Sequence, residues 1–105
     1  PRGFGSFPRF LKRYAKDLSS GIKKMTSLPA ETFGLTGRGN IREGFFADLV
    51  VFDPTGISDK ADYDNPYQRP TGISHVFTNG LPALLDGELP GKRPGRVLRH
   101  GGPLI

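Results

Sequence analysis

The sequence of 105 residues contains no cysteine and a single methionine, Met25. Without cysteine the chain cannot form a disulfide framework, a thiolate zinc site or a cysteine nucleophile. No apolar run approaches the roughly 18 residues that a membrane-spanning helix requires, and Pro1 is not followed by the apolar run of about 7–15 residues that marks a signal peptide. We therefore expect a cytoplasmic protein with no membrane partner. Since Pro1 is not a natural translation start, we also expect a piece of a longer chain.

Turn-forming residues are abundant, with 15 Gly and 10 Pro. This composition favours many short elements over long helices. The length suits one domain at most, and the core of so short a chain is modest.

The net charge of +5 is unevenly distributed. Residues 1–30 carry +6, residues 31–90 carry −5 and residues 91–105 carry +4. An acidic middle between basic ends is not the single basic face of a nucleic-acid-binding protein. We expect no nucleic-acid partner, and solvated basic ends explain most of this pattern.

The apolar spacing near the N-terminus predicts helices. Residues 8–18 show offsets of three, four and seven, with Pro8 suited to the first turn. A second short helix is predicted over residues 21–26, and a third is predicted to follow a cap at Ser27 and to end near Gly34.

Strands are predicted beyond this point. Residues 46–52 are nearly all apolar, as in a strand covered on both faces, and residues 55–72 resemble a long irregular loop. A strand over residues 73–78 leads to Asn79-Gly80, a strong hairpin signal, and residues 81–85 return along an edge. A turn at Asp86-Gly87 and a last strand over residues 96–98 complete the pattern. Helices followed by strands indicate an α+β fold.

No catalytic or metal-binding constellation is evident within the sequence. His75 and His100 are too far apart in sequence to begin a zinc site, which needs three or four converging ligands. The carboxylates at positions 59, 62 and 64 lack the pattern of a calcium loop, and we expect them to be solvated. Asp48 lies in an apolar segment, where an unpaired carboxylate is costly, so we expect it to accept hydrogen bonds from nearby backbone amides.

Four segments carry a resemblance to a known family. Residues 1–11, Pro-Arg-Gly-Phe-Gly-Ser-Phe-Pro-Arg-Phe-Leu, resemble a segment of the N-acyl-D-amino-acid deacylases (D-aminoacylases), a branch of the metal-dependent amidohydrolases. Residues 65–80 and 86–99 are similar to the stretches around the late hairpin and the closing segment of that branch. The Ala-Asp-Leu-Val motif at residues 47–50 indicates the wider superfamily.

The resemblance implies a fold and an activity for the intact protein. Members of the family have a (β/α)8 barrel and a small β-sandwich, and they hydrolyse N-acyl-D-amino acids with zinc-activated water and an aspartate proton shuttle. By this mapping residues 1–34 close the barrel, and residues 1–7 within them are the loop that follows the last barrel strand. Residues 35–99 belong to the sandwich and residues 100–105 form a tail. The zinc ligands and the catalytic aspartate would lie in a missing N-terminal barrel, so we expect the chain alone to bind no zinc and to be non-catalytic.

The resemblance also implies candidate substrate-facing residues, namely Arg2, Phe4 and Phe7, with Arg2 suited to a substrate carboxylate. The alternative that Arg2 only supports the loop has at least as much weight. Two further hypotheses stay open: a dihydroorotase-like or hydantoinase-like branch, against which residues 1–11 argue, and a stand-alone β-rich module that binds an anionic partner through its basic ends.

Overall fold

The computed structural model describes residues 2–100, with side chains from residue 3 onward. Helices precede a three-stranded antiparallel sheet, which confirms the predicted α+β order. The elements are α1 (Arg2–Arg9), a π-helical turn (Phe10–Tyr14), α2 (Leu18–Met25), α3 (Ser27–Thr32), β1 (Leu49–Phe52), β2 (Ile73–Thr78) and β3 (Leu81–Leu84). Within residues 2–100, no helix has the length and apolar character needed to cross a membrane.

The first helical segment differs from the prediction. The α-helical part begins at Arg2, so the loop expected over residues 1–7 is helical from its second residue onward. Pro8 lies inside the helix rather than in its first turn, and it has no N–H to donate to the preceding turn. The winding then loosens, and the amide of Ala15 donates to the carbonyl five residues back at 2.9 Å. Helical structure ends at Tyr14, short of the predicted residue 18.

A side-chain cap explains where α2 begins. The amide of Ser20 donates to Asp17 Oδ1 at 2.8 Å, which satisfies one of the free donors at the helix start. The helix therefore starts at Leu18 and includes Ser19 and Ser20, which precede the predicted start at residue 21.

The end of α3 follows the sequence prediction, although its start is displaced by one residue. Ser27 is the first helical residue and Thr26 occupies the cap position. Gly34 has φ +67°, and the amide of Leu35 donates to the carbonyl of Ala30 at 2.9 Å. A left-handed glycine with this hydrogen bond satisfies a carbonyl that the helix end leaves free.

The hairpin of β2 and β3 is formed as predicted. Asn79 and Gly80 have φ 53° and 79°, the pair of positive values that a two-residue type I′ turn requires. The sheet order is β1-β2-β3, so β3 lies at an edge, where Pro82 is tolerated. The register shifts between Val76 and Phe77, opposite Pro82.

The strand predicted over residues 46–52 is shorter and more exposed than expected. The amide of Asp48 donates to the carbonyl of Phe46 at 3.0 Å, and this tight turn delays the strand until residue 49. Val50 and Val51 are 53% and 48% exposed. The expectation of a strand covered on both faces is therefore wrong for the chain by itself, because these successive residues point to opposite faces of the sheet and both are about half exposed.

The C-terminal part contains the predicted turn but lacks the predicted last strand. Leu85 and Glu88 exchange two backbone hydrogen bonds of 2.9 Å around the turn at residues 86–87. Residues 96–98 form no strand. Val97 is 86% exposed, so no packing contact favours an extended pairing there.

The described residues bury little apolar surface. The buried hydrophobic side chains are Ala30, Ile57 and Ala61. The accessible surface is 7931 Å², whereas a compact protein of this mass exposes roughly 5,800 Å². The radius of gyration is 14.4 Å, against about 13 Å for a compact chain of this length. The modest core expected from the length is confirmed.

Candidate functional site

The predicted substrate-facing residues all lie on α1. Arg2 is its first residue, and its side chain is outside the described side chains. Phe4 and Phe7 are exposed and three residues apart, so they share one side of the helix. The rings of Phe4 and Tyr67 pack in a T-shaped arrangement with 5.7 Å between centroids. This contact joins α1 to the long loop over residues 53–72.

A cleft of about 390 Å³ lies between α1 and this loop. Its lining combines small, charged and aromatic residues: Gly5, Ser6, Arg9, Asp59, Ala61, Asp62 and Tyr63. Arg9 Nη1 donates to Asp59 Oδ2 at 2.8 Å across the cleft, and the Asp59 side chain is only 6% exposed. The two residues are 50 positions apart in sequence.

The environment of Asp59 keeps its carboxylate ionised. Burial by itself raises the pKa of Asp59, but the hydrogen bond from Arg9, a backbone hydrogen bond and the charges of Arg9 and Arg13 together offset this effect, so the pKa lies below its usual value. The same contact raises the pKa of Arg9. The expectation that Asp59 is solvated is therefore wrong. The residues two before and two after it, Ile57 and Ala61, are both buried, so Asp59 lies in a buried part of the loop, which the sequence by itself did not indicate.

The neighbouring carboxylates are exposed to solvent, as predicted from the sequence. Asp62 is exposed, and its Oδ1 accepts a hydrogen bond from the amide of Asn65 at 2.6 Å. Asp64 is also exposed. Within residues 2–100, no three His, Asp or Glu side chains converge as a metal site requires. The described residues thus supply no ligand set for a catalytic zinc ion.

A polar cluster links the start of β1 to the hairpin turn. Arg38 donates from Nη1 to Asp48 and from Nη2 to Asn79 Oδ1, the latter at 2.6 Å. Its guanidinium, 9% exposed as a side chain, lies 4.1 Å from the ring centroid of Phe46. The amide of Asn79 donates to Asp48 Oδ1 at 2.8 Å, which confirms the expected backbone hydrogen bond. Asn79 Nδ2 donates to the carbonyl of Pro94 at 2.8 Å, so this cluster also connects the hairpin turn to the C-terminal part of the chain.

The two histidines lie apart from the cleft lining. His75 Nδ1 accepts a hydrogen bond from the amide of Asp86 at 3.1 Å, and its ring lies 6.3 Å from that of Phe77. His100 lies beside Gly34. Both positions suit a packed or surface role.

Comparison with known proteins identifies the class to which these elements belong. The amidohydrolase family matches residues 10–82 of this sequence, and the chain belongs to that family. It is 46% identical over 103 residues to a D-aminoacylase of Alcaligenes xylosoxydans xylosoxydans, an alignment that covers 93% of this chain and 21% of that protein. The chain therefore spans about a fifth of the length of this relative.

Solved structures agree with the sequence comparison. A crystal structure of D-aminoacylase is 41% identical to the chain with a TM-score of 0.86, covering 90% of this chain and 21% of that one. An N-acyl-D-glutamate deacylase from Bordetella bronchiseptica, in complex with zinc and a phosphonate mimic of the tetrahedral intermediate, is 40% identical with a TM-score of 0.83 and the same coverage. These relatives confirm the resemblance to N-acyl-D-amino-acid deacylases.

Proposed function

We propose that this chain is the C-terminal segment of a zinc-dependent hydrolase that cleaves the amide bond of N-acyl-D-amino acids. The observation that carries the proposal is similarity over about nine-tenths of the chain to D-aminoacylase structures of which it spans 21%. The large exposed surface and the small number of buried side chains agree with a segment that packs against further protein. The rival hypothesis, a stand-alone binding module, requires a self-sufficient core.

Within this proposal the chain has two parts and a tail. Residues 1–34 close a (β/α)8 barrel, residues 35–99 contribute to a small β-sandwich, and residues 100–105 follow as a tail. The helix end at Gly34 supports the first boundary, because the helical elements precede it and the strands, which begin at Leu49, follow it. The exposed valines of β1 support burial against other parts of the longer protein.

The substrate-facing residues in this proposal are Arg2, Phe4 and Phe7. A guanidinium at position 2 suits the carboxylate that every N-acyl-amino acid carries, because the fork geometry matches two oxygens. The exposed rings of Phe4 and Phe7 offer apolar contact to an acyl group or side chain. Because the described residues hold no metal-ligand cluster, the zinc ion in this proposal is held by residues outside the chain.

The proposal is tested by expressing the complete open reading frame that contains this chain with zinc in the medium. We expect release of free D-amino acid from N-acetyl derivatives of apolar D-amino acids or of D-glutamate. The L enantiomers and the isolated 105-residue chain are the matched controls, and both should give no release. A complete protein that is inactive on the whole D series would contradict the proposal. Salt-sensitive binding of the isolated, compact chain to polyanions would support the rival module instead.

A further inference from the structure

We propose that Asp59 is a positioning residue that fixes the orientation of α1, and through α1 the placement of the substrate-facing residues Arg2, Phe4 and Phe7. This inference rests on the proposed function. It assigns a role to a carboxylate that lies 50 positions from its ion-pair partner and is not itself one of the substrate-facing residues.

The first support is the ion pair itself. Asp59 Oδ2 accepts the hydrogen bond from Arg9 Nη1 at 2.8 Å. Oδ1 is buried and has no hydrogen-bond partner in the part of the chain that the structure describes. A buried carboxylate is strongly destabilising when its counter-charge is removed. The position of Arg9, the last residue of α1, is therefore tied to the position of Asp59.

The second support is the close fit at Gly5. A Cβ atom at this position would lie 2.7 Å from Asp59 Cβ, shorter than any ordinary van der Waals contact, so no larger residue fits without movement. Gly5 and Arg9 are four residues apart and share one side of α1. Contact at two points on one side of a helix restricts both its rotation about its axis and its sliding along it.

The third support is the relation between these contacts and the N-terminus of α1. Arg2 lies seven residues before Arg9, which is about two helical turns. The Phe4 ring packs against Tyr67 of the same loop that carries Asp59. A shift of α1 against this loop moves all three substrate-facing residues together, and a misplacement of about 1 Å can lower the rate by roughly a hundredfold.

The experiment compares variants of the complete zinc-loaded protein on two substrates, an N-acetyl-D-amino acid and its C-terminal carboxamide. Asp59→Asn keeps a side chain of the same shape beside Gly5 and removes its negative charge. Arg9→Lys keeps the positive charge and removes the planar guanidinium group. Asp64→Asn, an exposed carboxylate on the same loop, is the matched control. The readout is the ratio of kcat/KM for the carboxylate substrate to that for the carboxamide.

We expect Asp59→Asn to lower this ratio by about tenfold or more through a raised KM for the carboxylate substrate, since Arg2 is displaced from it. Arg9→Lys should give a smaller change in the same direction, and Asp64→Asn should give none. A purely structural role for Asp59 would lower the amount of active protein, affect both substrates equally and leave the ratio unchanged.

The outcomes separate the two proposals. If the wild-type protein hydrolyses the D substrate but Asp59→Asn and Arg9→Lys leave the ratio of the two kcat/KM values unchanged, the positioning role is overturned and the proposed function stands. A wild-type protein with no hydrolase activity overturns both. If Asp59→Asn does not fold, Arg9→Lys decides the question by the same ratio, because it changes a partly exposed side chain.

Discussion

Separating this chain from the rest of the proposed enzyme should expose surface that the complete protein buries. The chain exposes 7931 Å², roughly 2,100 Å² more than a compact protein of 11.4 kDa. A standard protein–protein interface removes only about 800 Å² from each partner. The excess is thus in the range of an obligate interface, and it includes the half-exposed valines of β1.

We therefore expect the isolated chain to self-associate, to bind a hydrophobic dye such as ANS and to unfold in urea without a sharp transition. Sedimentation velocity at several concentrations, dye fluorescence and circular dichroism measure these properties. Val50→Lys or Val51→Lys on the exposed edge strand should reduce self-association, because a charge on an edge strand opposes pairing. Ile41→Lys, an equally large change at an exposed position outside the sheet, should reduce it less.

The result that refutes this reasoning is a compact monomer of 11.4 kDa that unfolds cooperatively and binds no dye. In that case the exposed side chains would not be an interface, and the stand-alone module would become the better description of the chain. If Ile41→Lys reduces self-association as strongly as Val51→Lys does, β1 is not the surface through which the chains associate.

Two further predictions concern the stability of the complete protein, measured by thermal and acid unfolding. Gly72→Ala should lower the melting temperature much more than Gly44→Ala. Both glycines have positive φ, which costs a residue with a side chain roughly 1–2 kcal/mol, but only at Gly72 would the new Cβ lie 2.5 Å from the Gly56 backbone. Equal shifts in melting temperature would contradict this prediction. The pKa of Asp59 is lowered in the folded state, so the stabilisation by its carboxylate is fully present above the unfolded-state pKa of about 3.9 and is lost as the pH falls through the folded-state pKa. The difference in free energy of unfolding between wild type and Asp59→Asn should therefore shrink with acidification. A difference that stays constant would contradict the assigned ion pair.

The elements that were predictable from sequence are those whose causes are local. The bounds of β2 and the turn at Asn79-Gly80 follow from a short apolar run and a dipeptide that adopts positive φ readily. The helix end at Gly34 follows from the same backbone property. The family was also predictable, because residues 1–11 carry a distinctive motif.

The elements that were not predictable depend on contacts between distant residues or on competing local effects. Proline is common in the first turn of helices, yet here the helix begins at Arg2, six residues before Pro8. The start of β1 is set by the turn at Asp48, whose carboxylate binds Arg38 and Asn79. The burial of Asp59 depends on an arginine 50 positions away, and no spacing rule within one sequence connects two such residues.

These polar contacts, together with the backbone pairing of β1 with β2, tie distant segments together in a defined geometry. Apolar burial is limited to Ala30, Ile57 and Ala61, and small side chains of this kind restrict relative orientation only weakly. Hydrogen bonds are directional and restrict the relative orientation of two segments more strongly. Two such bonds join segments that are 50 and 41 positions apart, between Arg9 and Asp59 and between Arg38 and Asn79. Since the first of these pairs lies on the helix that carries the proposed substrate-facing residues, loss of its charge should alter substrate discrimination even where the fold survives.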